Sequence, residues 1–339
     1  MTTWRVLVTG GAGYVGSFVV RRLVASGHDV VAYDSLVTGH GWAVPHGCLV
    51  RADLADPRLE ELLAERRFDA VMHFAASIWV GESVRQPARY YQNNTVLAHR
   101  LFDLAARAGV PAVVLSSSAA VYGQPEVDPI DEDQPLAPIN PYGASKAMAE
   151  RMLADIGAAT GLRHVALRYF NVAGAAADAS LGEATPDNSH LIKVACETAG
   201  GLRPRFTLNG TDYATPDGTC IRDYVHVEDL AAAHVAALDY LADGGASVAL
   251  NCGYGHGLSV REVLDATRRI SGIDFPIELG PRRPGDPARL VAANARIRRV
   301  LGWSPQFDDL EEIVGSAWRW EQALQAGRTP AGPQGGRAR

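Results

Sequence analysis

The sequence is poor in cysteine. Only four cysteines occur among 339 residues, and they are scattered at positions 48, 196, 220 and 252 with no Cys-x-x-Cys pair. Neither a disulfide framework nor a zinc site is therefore expected, and no other metal ligand set stands out. Free thiols of this kind are typical of a reducing compartment, so we expect a cytoplasmic protein.

Long apolar runs and an excess of positive charge are also missing. The longest apolar stretches, such as residues 110–115, are much shorter than the roughly 20 residues that a membrane-spanning helix needs. The chain start leads straight into a strand-like run and shows no signal-peptide pattern. Lys and Arg total 32 against 38 Asp and Glu, a net charge of −6 with neutral histidine. We therefore expect no membrane contact and no nucleic-acid partner, which usually needs a concentrated basic surface.

The first half of the sequence alternates strand-like with helix-like segments. Short runs rich in apolar residues recur at 5–9, 30–33, 49–51, 70–74 and 110–115. The segments between them carry apolar residues at helical spacing, such as Val15, Phe18, Val19 and Leu23. This alternation predicts an α/β fold in which a doubly wound parallel sheet is covered by helices on both faces.

The second half has longer polar loops rich in Gly, Pro, Asp and Thr from about residue 171. We therefore predict a dinucleotide-binding Rossmann domain over residues 1–170, completed by returning segments near 221–245. A smaller, interleaved α/β domain for substrate binding is predicted over residues 171–326. Residues 327–339 contain almost no large apolar residue, which predicts a disordered tail.

A glycine-rich turn follows the first predicted strand. Gly10, Gly13 and Gly16 recur at every third position between this strand and the next helix. Glycine permits a tight turn and a close approach of the backbone to a pyrophosphate, while the helix N-terminus offers N–H groups and a positive dipole. The turn therefore predicts a dinucleotide site.

Two aspartates follow the next strands. Asp34 ends the second strand, 18 positions after Gly16. A carboxylate there can accept hydrogen bonds from both hydroxyls of the adenosine ribose and repels an added phosphate, which favours NAD over NADP. Asp53, after the third strand, is either an adenine contact or the N-cap of the next helix.

Tyr142 and Lys146 are four positions apart on a helix announced by Pro141, so both side chains lie on one face. A free tyrosine has a pKa of about 10, too high for a base at neutral pH. A nearby ammonium, together with a positive nicotinamide ring, stabilises the phenolate and lowers that pKa. Ser118, at the end of the fifth strand, is placed to hydrogen-bond the reacting oxygen. The three residues together predict a catalytic site.

These motifs resemble the UDP-glucose 4-epimerase branch of the extended short-chain dehydrogenase/reductase family. The resemblance reaches to about residue 326 and rests on the segments 9–16, 73–76, 80–84, 90–94, 116–123, 141–146, 167–171, 211–213, 217–227 and 281–286. It implies an isomerase of galactose metabolism that interconverts UDP-glucose and UDP-galactose. Tyr142 would remove the C4 hydroxyl proton, hydride would pass to tightly bound NAD, and the 4-keto sugar would turn before hydride returns to its other face.

The resemblance also implies a set of ligand contacts. Those expected for NAD are Gly10, Gly13, Tyr14, Val15, Gly16, Asp34, Ser35, Asp53, Leu54, Phe74, Ala75, Ala76, Asn93, Ser118, Tyr142, Lys146 and Phe170. Those expected for the UDP-sugar are Ser118, Tyr142, Asn171, His190, Leu191, Thr207, Asn209, Arg222, Arg283, Asp286 and Leu290. The two arginines suit the diphosphate because a guanidinium can bind its oxygens bidentately.

The chain departs from the family at two positions. Ile78 stands where the family commonly has a lysine, so one polar contact to the cofactor is missing or supplied elsewhere. His190 stands where many members have asparagine. Leu290 occupies the variable position beside the hexose, and its size predicts partial exclusion of a 2-acetamido group.

Other activities find less support in the residues. A sugar-nucleotide dehydratase would carry an Asp-Glu pair where Ala119 and Ala120 stand. A uronate-specific or decarboxylating enzyme would need dedicated cations that the sequence does not reveal. An NAD-sensing regulator without activity would not need Ser118, Tyr142 and Lys146 intact. The alternative that stays open is another NAD-dependent UDP-sugar epimerase, in particular one for UDP-xylose and UDP-arabinose, because these sugars lack the hydroxymethyl group and would fit.

The family also implies a homodimer. Its members commonly pair the long helix after Gly81 and the helix that carries Tyr142 with the same helices of a second subunit. We expect small residues on these helices to permit that close approach, namely Ala88, Ala98, Ala105, Ala147 and Ala149.

Overall fold

The structure is a computed structural model that describes residues 3–283 and 286–328. The predicted disordered tail spans residues 327–339, and residues 329–339 of it lie outside the described ranges.

The strands of the described residues are, in chain order, β1 (Arg5–Thr9), β2 (Asp29–Asp34), β3 (Leu49–Arg51), β4 (Ala70–His73), β5 (Ala112–Ser118), β6 (Arg163–Tyr169), β7 (Asn171–Ala173), β8 (Phe206–Asn209), β9 (Ile221–Arg222), β10 (Tyr224–His226), β11 (Val248–Cys252), β12 (Leu258–Ser259), β13 (Ile277–Gly280) and β14 (Arg289–Leu290). The helices are α1 (Tyr14–Ala25), α2 (Arg58–Glu65), α3 (Val80–Arg85), α4 (Pro87–Tyr91), α5 (Leu97–Arg107), α6 (Pro141–Thr160), α7 (Leu191–Ala199), α8 (Val227–Ala242), α9 (Val260–Ser271), α10 (Ala295–Leu301) and α11 (Leu310–Gln325).

A seven-stranded sheet with the order β11-β6-β5-β4-β1-β2-β3 forms the centre of the molecule. Each neighbouring pair in it is parallel. From β1 the chain winds outward first to β2 and β3 and then, on the other side, to β4, β5 and β6. This is the predicted doubly wound fold, and the prediction is confirmed. The carboxyl ends of β1 and β4 meet where the winding reverses, the usual position of a ligand crevice in such sheets.

Side chains alternate between the two faces of the sheet and bury a core on each. Val6 and Val8 of β1 belong to one apolar cluster with Phe18 of α1 and Leu230 of α8. Leu7, between them, points into the other cluster with residues of α2, α5 and α6. Because both faces are covered, the strands are apolar throughout, as parallel strands usually are.

The carboxy-terminal part is interleaved with the sheet. Strand β11 pairs with β6 in parallel, and α8 lies against α1. The returning segment therefore continues to Cys252, beyond the 221–245 region expected from the sequence. Small sheets formed by β7 and β10, by β12, β9 and β14, and by β8 and β13 complete this part with α7, α9 and α11.

The helix expected after Gly81 is interrupted twice. Pro87 begins α4 and leaves the preceding Gln86 with φ −132° and ψ 57°, outside the helical region, because a proline disfavours helical conformation in the residue before it. A π-helical turn at Gln92–Val96 then separates α4 from α5. Within this turn the Asn94 amide donates to the Ser77 carbonyl at 2.9 Å. Its side chain therefore ties the turn to the loop after β4.

Three of the alanines predicted for a subunit interface lie inside the chain's own core. Ala98, Ala105 and Ala149 are 0%, 0% and 2% exposed and pack with the sheet in the second apolar cluster. Their small size allows α5 and α6 to approach each other within one chain, so their assignment to an intersubunit contact is wrong. Ala88 is exposed and Ala147 is half-buried.

Among the described residues, no helix has the length and apolar character needed to cross a membrane. The same residues contain no cluster of three or more His, Cys, Asp or Glu side chains that could hold a metal ion.

Candidate active site

A cavity of about 1390 Å³ lies where the carboxyl ends of β1, β4, β5 and β6 meet the carboxy-terminal part. With one exception, every residue predicted to contact NAD or a UDP-sugar lines it. These are Gly10, Gly13, Tyr14, Val15, Gly16, Asp34, Ser35, Asp53, Leu54, Phe74, Ala75, Ala76, Asn93, Ser118, Tyr142, Phe170, Asn171, His190, Leu191, Thr207, Asn209, Arg222, Arg283, Asp286 and Leu290. The exception is Lys146, which is 4% exposed beneath the cavity surface.

The glycine turn requires glycine at two of its positions. Gly10 has φ +71°, and a Cβ atom there would lie 2.5 Å from the backbone nitrogen of Ala75. A Cβ on Gly16 would lie 2.2 Å from the carbonyl oxygen of Gly10. The turn is thus closed on itself and packed against the loop after β4, which leaves bare backbone at the start of α1. Such a cradle fits a pyrophosphate.

The Asp34 carboxylate is fixed by two backbone amides. Its Oδ2 accepts from Ala12 N at 2.9 Å and its Oδ1 from Leu36 N at 2.8 Å. Each carboxylate oxygen has a second lone pair, so the side chain can still accept from a ribose diol. The negative charge at this place disfavours a 2′-phosphate, in keeping with the expected preference for NAD.

Asp53 does not cap the following helix. Its Oδ1 accepts from Ala55 N at 2.8 Å, whereas Asp56 Oδ1 accepts from Arg58 N, at the start of α2, at 2.9 Å. Of the two roles that the sequence left open for Asp53, the helix cap is therefore wrong: the N-cap residue of α2 is Pro57, and no side chain caps it. The adenine contact stays a prediction, and Asp53 does line the cavity.

The three serines that end β5 have different environments. The Ser116 hydroxyl hydrogen-bonds the Tyr169 phenol, and the Ser117 hydroxyl donates to Glu150 on the other face of the strand. Ser118 is half-buried and lines the cavity, where its hydroxyl accepts from Ala120 N at 3.2 Å. The strand end therefore presents one of the three hydroxyls to a ligand.

Tyr142 lies in the first turn of α6. This turn begins at Pro141 and is capped by Asn140, whose side chain accepts from Gly143 N at 2.9 Å. Tyr142 is 9% exposed and faces the cavity, while Lys146 Nζ, one turn later, donates to the Ser116 carbonyl oxygen at 2.8 Å. The helix start thus places the phenol, and the lysine fastens the helix to β5.

Burial governs the ionisation of both groups in the chain alone. It raises the pKa of Tyr142, and a hydrogen bond with Ser118 partly offsets this. It lowers the pKa of Lys146 to about 8, against the smaller opposite effect of Glu150. The sequence predicted that Lys146 lowers the pKa of Tyr142. In the chain without a cofactor, Lys146 is not one of the causes of the Tyr142 pKa shift. A positive nicotinamide ring beside the phenol would stabilise the phenolate and lower the pKa of Tyr142.

A buried ion pair between Arg168 and Glu150 lies behind the cavity wall. The Arg168 guanidinium binds Glu150 through two nitrogens, with its Nη2 at 2.7 Å from Oε2. Arg168 Nη1 also donates to the Tyr122 hydroxyl at 2.9 Å. These contacts join β6, α6 and the short helix after Ser118, so the elements that carry the predicted catalytic residues are held together.

Arg222 and Asp286 meet at the far end of the cavity. Arg222 is 8% exposed and pairs through Nη2 with an Asp286 carboxylate oxygen, while its Nη1 donates to the Ile221 carbonyl at 2.8 Å. This pair was not predicted, since the two residues are 64 positions apart. Leu290 lies beside them in β14, which pairs with β9, and packs against the apolar cluster that contains Phe170.

The position of Ile78, where the family commonly has lysine, also lines the cavity. Neighbouring Trp79 lines it as well, and its Nε1 is buried without a hydrogen-bond partner among the described residues. The predicted cofactor contact Asn93 donates from Nδ2 to the Ser77 hydroxyl at 3.1 Å. The indole N–H of Trp79 is therefore an unpaired donor among the described residues, buried behind this wall of the cavity.

Two loops of the cavity are joined by an aromatic bridge that the sequence did not reveal. His40 Nε2 donates to the Ala184 carbonyl oxygen at 3.1 Å. The His40 ring stacks on Trp42, whose ring centroid lies 5.8 Å from that of Trp320. Trp320 is buried and also donates from Nε1 to the Glu183 carbonyl at 2.9 Å. The bridge connects the loop after Asp34 to the loop before α7.

The fold and the cavity together define a dinucleotide-binding enzyme in which Tyr142 and Ser118 line the same cavity, and comparison with known proteins identifies the class. Residues 6–253 match the model of the NAD dependent epimerase/dehydratase family. The chain belongs to this family, which confirms the resemblance drawn from its motifs.

Similar proteins of known function include 4-epimerases of UDP-sugars. The chain is 54% identical over 336 residues to a UDP-glucose 4-epimerase of Azospirillum brasilense, covering 98% of this chain and 97% of that protein. It resembles the crystal structure of UDP-glucose 4-epimerase from Brucella ovis in complex with NAD, with 44% identity, a TM-score of 0.91, and coverage of 94% and 99%. It also resembles the UDP-Glc/GlcNAc 4-epimerase of Campylobacter jejuni, with 45% identity, a TM-score of 0.83, and coverage of 94% and 99%.

Proposed function

We propose that this protein is an NAD-dependent UDP-sugar 4-epimerase that interconverts UDP-glucose and UDP-galactose. One observation carries the proposal: the same cavity is lined by the glycine turn, Asp34, Ser118, Tyr142 and Arg222. A cofactor held at the glycine turn and a nucleotide sugar held near Arg222 would therefore meet at Tyr142.

The residues around the glycine turn suit NAD. A side chain at Gly10 or Gly16 would clash with neighbouring backbone, so the turn stays closed and offers bare backbone to a pyrophosphate. The Asp34 carboxylate suits the adenosine ribose. NAD bound there would supply the acceptor, and later the donor, of the hydride at C4 of the sugar. Because the cofactor is regenerated in each turnover, its release offers no advantage, and we expect it to stay bound during purification.

Tyr142 is the residue placed to exchange the proton of the C4 hydroxyl. Its phenolate takes the proton as the C4–H bond breaks, and its phenol returns the proton when the opposite epimer forms. Ser118 hydrogen-bonds the same oxygen and favours the phenolate. Lys146 supplies a positive charge beneath the site while it is protonated, and it holds α6 against β5 through the Ser116 carbonyl.

The nucleotide must stay anchored while the oxidised hexose turns over. Arg222 and Arg283 line the far end of the cavity and suit the diphosphate, because guanidinium groups bind its oxygens bidentately. We further propose Asn171, Leu191, Thr207 and Asn209 as contacts of the sugar nucleotide, and the cavity volume of about 1390 Å³ leaves room for the hexose to rotate.

Elimination chemistry has less support than epimerisation. A dehydratase needs an acid and a base beside the catalytic hydroxyl, and the two residues that follow Ser118 on the cavity wall are Ala119 and Ala120. A methyl group exchanges no proton. These two positions therefore supply neither the acid nor the base that elimination needs.

We also propose a cytoplasmic homodimer and a division of the chain into a cofactor domain over residues 1–170 and a substrate domain over residues 171–326. For the homodimer, support comes from apolar side chains on the outer side of α3, the π-helical turn and α6. Val84, Val96 and Met148 are 63%, 51% and 44% exposed. A second copy of the chain would cover them.

The test is to incubate the purified protein with UDP-galactose without added NAD and to measure UDP-glucose. We expect UDP-glucose to form and NAD to be released on denaturation. Matched reactions with UDP-xylose and with added NADP separate the alternatives. A higher kcat/KM for UDP-xylose than for UDP-galactose would assign the enzyme to pentoses, and an absolute need for NADP would contradict the proposal.

A further inference from the structure

Glu183 and His190 form a hydrogen-bonded pair on the cavity wall, and the chemistry above gives Glu183 no part. His190 Nδ1 lies 2.6 Å from Glu183 Oε1. The Glu183 side chain is 8% exposed, whereas the His190 side chain is 38% exposed, and both residues line the cavity. A buried carboxylate bonded to one nitrogen of an imidazole fixes which nitrogen faces outward.

The carboxylate is itself held firmly. Trp320 Nε1 donates to the Glu183 carbonyl at 2.9 Å, and Asn188 Nδ2 donates to Glu183 Oε1 at 2.5 Å. The Asn188 side-chain oxygen in turn accepts from His190 N at 2.6 Å. The backbone and ring of His190 are thus both tied to the same two residues, so the ring has little freedom to flip.

The ring orientation decides what the outer nitrogen can do. Nδ1 carries its hydrogen toward the carboxylate, and Nε2 has no partner within the described part of the chain. A neutral ring in this tautomer offers Nε2 only as an acceptor, whereas the protonated ring offers it as a donor. The ligand that Nε2 can hold therefore depends on the charge of the ring.

The charges near His190 leave Glu183 as its direct counter-ion. Lys193 on α7 pairs with Glu321 and Glu197, Arg203 pairs with Glu197, and Arg205 pairs with Glu278. Other ionisable groups near the pair include Asp187, exposed in the same loop, and Tyr14 on α1, which also lies near Glu228. His40 contacts the carbonyl of Ala184, the residue next to Glu183. Burial lowers the pKa of His190, but the charge and hydrogen bond of Glu183 outweigh it, so the pKa is raised overall.

We propose that Glu183 is a positioning residue that orients His190 so that its Nε2–H donates to the diphosphate of the sugar nucleotide. The inference rests on the proposed function, because it requires a nucleotide sugar in the cavity. A diphosphate only accepts hydrogen bonds, so the contact forms with the protonated ring alone. Substrate binding is then linked to the protonation of His190, while the chemistry at Tyr142 is not.

The test measures the affinity of the NAD-loaded protein for UDP by calorimetry from about pH 6 to about pH 9, a range that spans the usual titration of histidine. Because the terminal phosphate of UDP itself titrates at about pH 6, each Kd is calculated for the fully ionised form of UDP. For the wild type, we expect Kd to rise as pH passes through the raised pKa of His190. In Glu183→Gln, which keeps the hydrogen-bond acceptor and removes the charge, the rise should begin at lower pH. Between the two transitions the variant should bind UDP roughly tenfold more weakly, or about 1.4 kcal/mol.

Two further variants make the test specific. His190→Asn keeps a side-chain donor that does not titrate, so its Kd should not follow pH in this way. Asp187→Asn removes a charge from the same loop at a residue with φ +50°, a conformation that asparagine tolerates. It should keep the pH dependence of the wild type. With UDP-galactose, Glu183→Gln should raise KM and leave kcat nearly unchanged.

The outcomes separate this inference from the proposed function. Identical pH dependence in the wild type and Glu183→Gln, or a wild-type pH dependence in His190→Asn, would overturn the role of Glu183. A wild type that binds no UDP at any pH would contradict the proposed function itself. If melting curves show that Glu183→Gln is unfolded, the comparison of the wild type with His190→Asn still decides whether His190 carries the pH dependence.

Discussion

The ammonium group of Lys146 donates a hydrogen bond to the carbonyl oxygen of Ser116, at 2.8 Å. The acceptor lies two positions before Ser118, so the lysine of the Tyr-x-x-x-Lys motif fastens α6 to the strand that carries the serine. The lysine of this motif therefore holds the helix against the strand in addition to providing a positive charge. This explains how a phenol on a helix and a hydroxyl at a strand end can keep a fixed separation.

Replacement of Tyr142 by phenylalanine tests the assignment of the base. The change keeps the buried ring and removes the group that exchanges the C4 proton, so kcat should fall by about 10²–10⁴-fold. Binding of UDP and retention of NAD should stay close to those of the wild type. Tyr240→Phe, on α8 and remote from the cavity, is the matched control. Near-normal turnover in Tyr142→Phe would place the base elsewhere.

Ser118→Ala tests whether the Ser118 hydroxyl lowers the pKa of Tyr142. Burial raises the pKa of Tyr142, and the Ser118 hydrogen bond lowers it. Loss of that bond should raise the pKa further, so the phenolate form requires a higher pH. The rising limb of the profile of kcat/KM against pH should therefore move to higher pH, while exposed Ser304→Ala should leave it in place. An unmoved limb in Ser118→Ala would remove Ser118 from this role.

Gly16→Ala tests the cofactor cradle. The added Cβ would lie 2.2 Å from the Gly10 carbonyl oxygen, so the turn must open. We expect the purified variant to contain much less NAD, measured by absorbance after denaturation. In Gly41→Ala the new Cβ would have its nearest neighbour at 3.6 Å, so this control should keep its NAD. Full NAD content in Gly16→Ala would show that the turn does not hold the cofactor.

Leu290 is expected to set the tolerance for N-acetylated sugars. The wild type should prefer UDP-glucose to UDP-N-acetylglucosamine, and Leu290→Ser should narrow this preference by opening space beside the hexose. One misplaced apolar group is typically worth about 1–3 kcal/mol, or roughly 10–200-fold in kcat/KM. Leu279→Ser changes an exposed leucine on β13 and serves as the control. If the wild type already uses both sugars equally well, Leu290 does not exclude the 2-acetamido group.

The homodimer can be tested on its apolar surface. Light scattering at micromolar concentration should give twice the subunit mass for the wild type. Met148→Glu places a charge on the outer side of α6, where desolvation is costly, and should shift the protein toward the monomer. Leu202→Glu, at another exposed apolar position, should remain dimeric. A wild type with the mass of one subunit would refute the dimer.

Much of the molecule follows from local sequence. The strand and helix periodicities predicted the doubly wound sheet because both of its faces are buried, which leaves apolar strands between amphipathic helices. The glycine turn and the Tyr-x-x-x-Lys motif are short-range patterns whose geometry is set by their own backbone. For Ser118, position at the strand end was sufficient to distinguish it from Ser116 and Ser117.

The remaining features depend on contacts between distant segments. Ala98, Ala105 and Ala149 were assigned to an interface because small residues permit close approach, but their side of the helix faces the chain's own core. The spacing of Glu183 and His190 has no motif, because their contact depends on a loop held by Trp320 of α11. The contact of His40 with Ala184 spans 144 positions. No periodicity encodes such a pairing.

The bridge from His40 to Ala184 has a consequence for the lifetime of the loaded enzyme. It joins the loop after Asp34 to the loop that carries Glu183, so a ligand that restrains one loop would also restrain the other through this contact. By thermodynamic reciprocity, the factor by which a nucleotide sugar tightens the hold on NAD is the factor by which NAD tightens the hold on the sugar. NAD would then be bound most weakly after the product has left and before the next substrate binds. Loss of NAD, and with it of activity, would therefore depend more on low substrate concentration than on the number of turnovers.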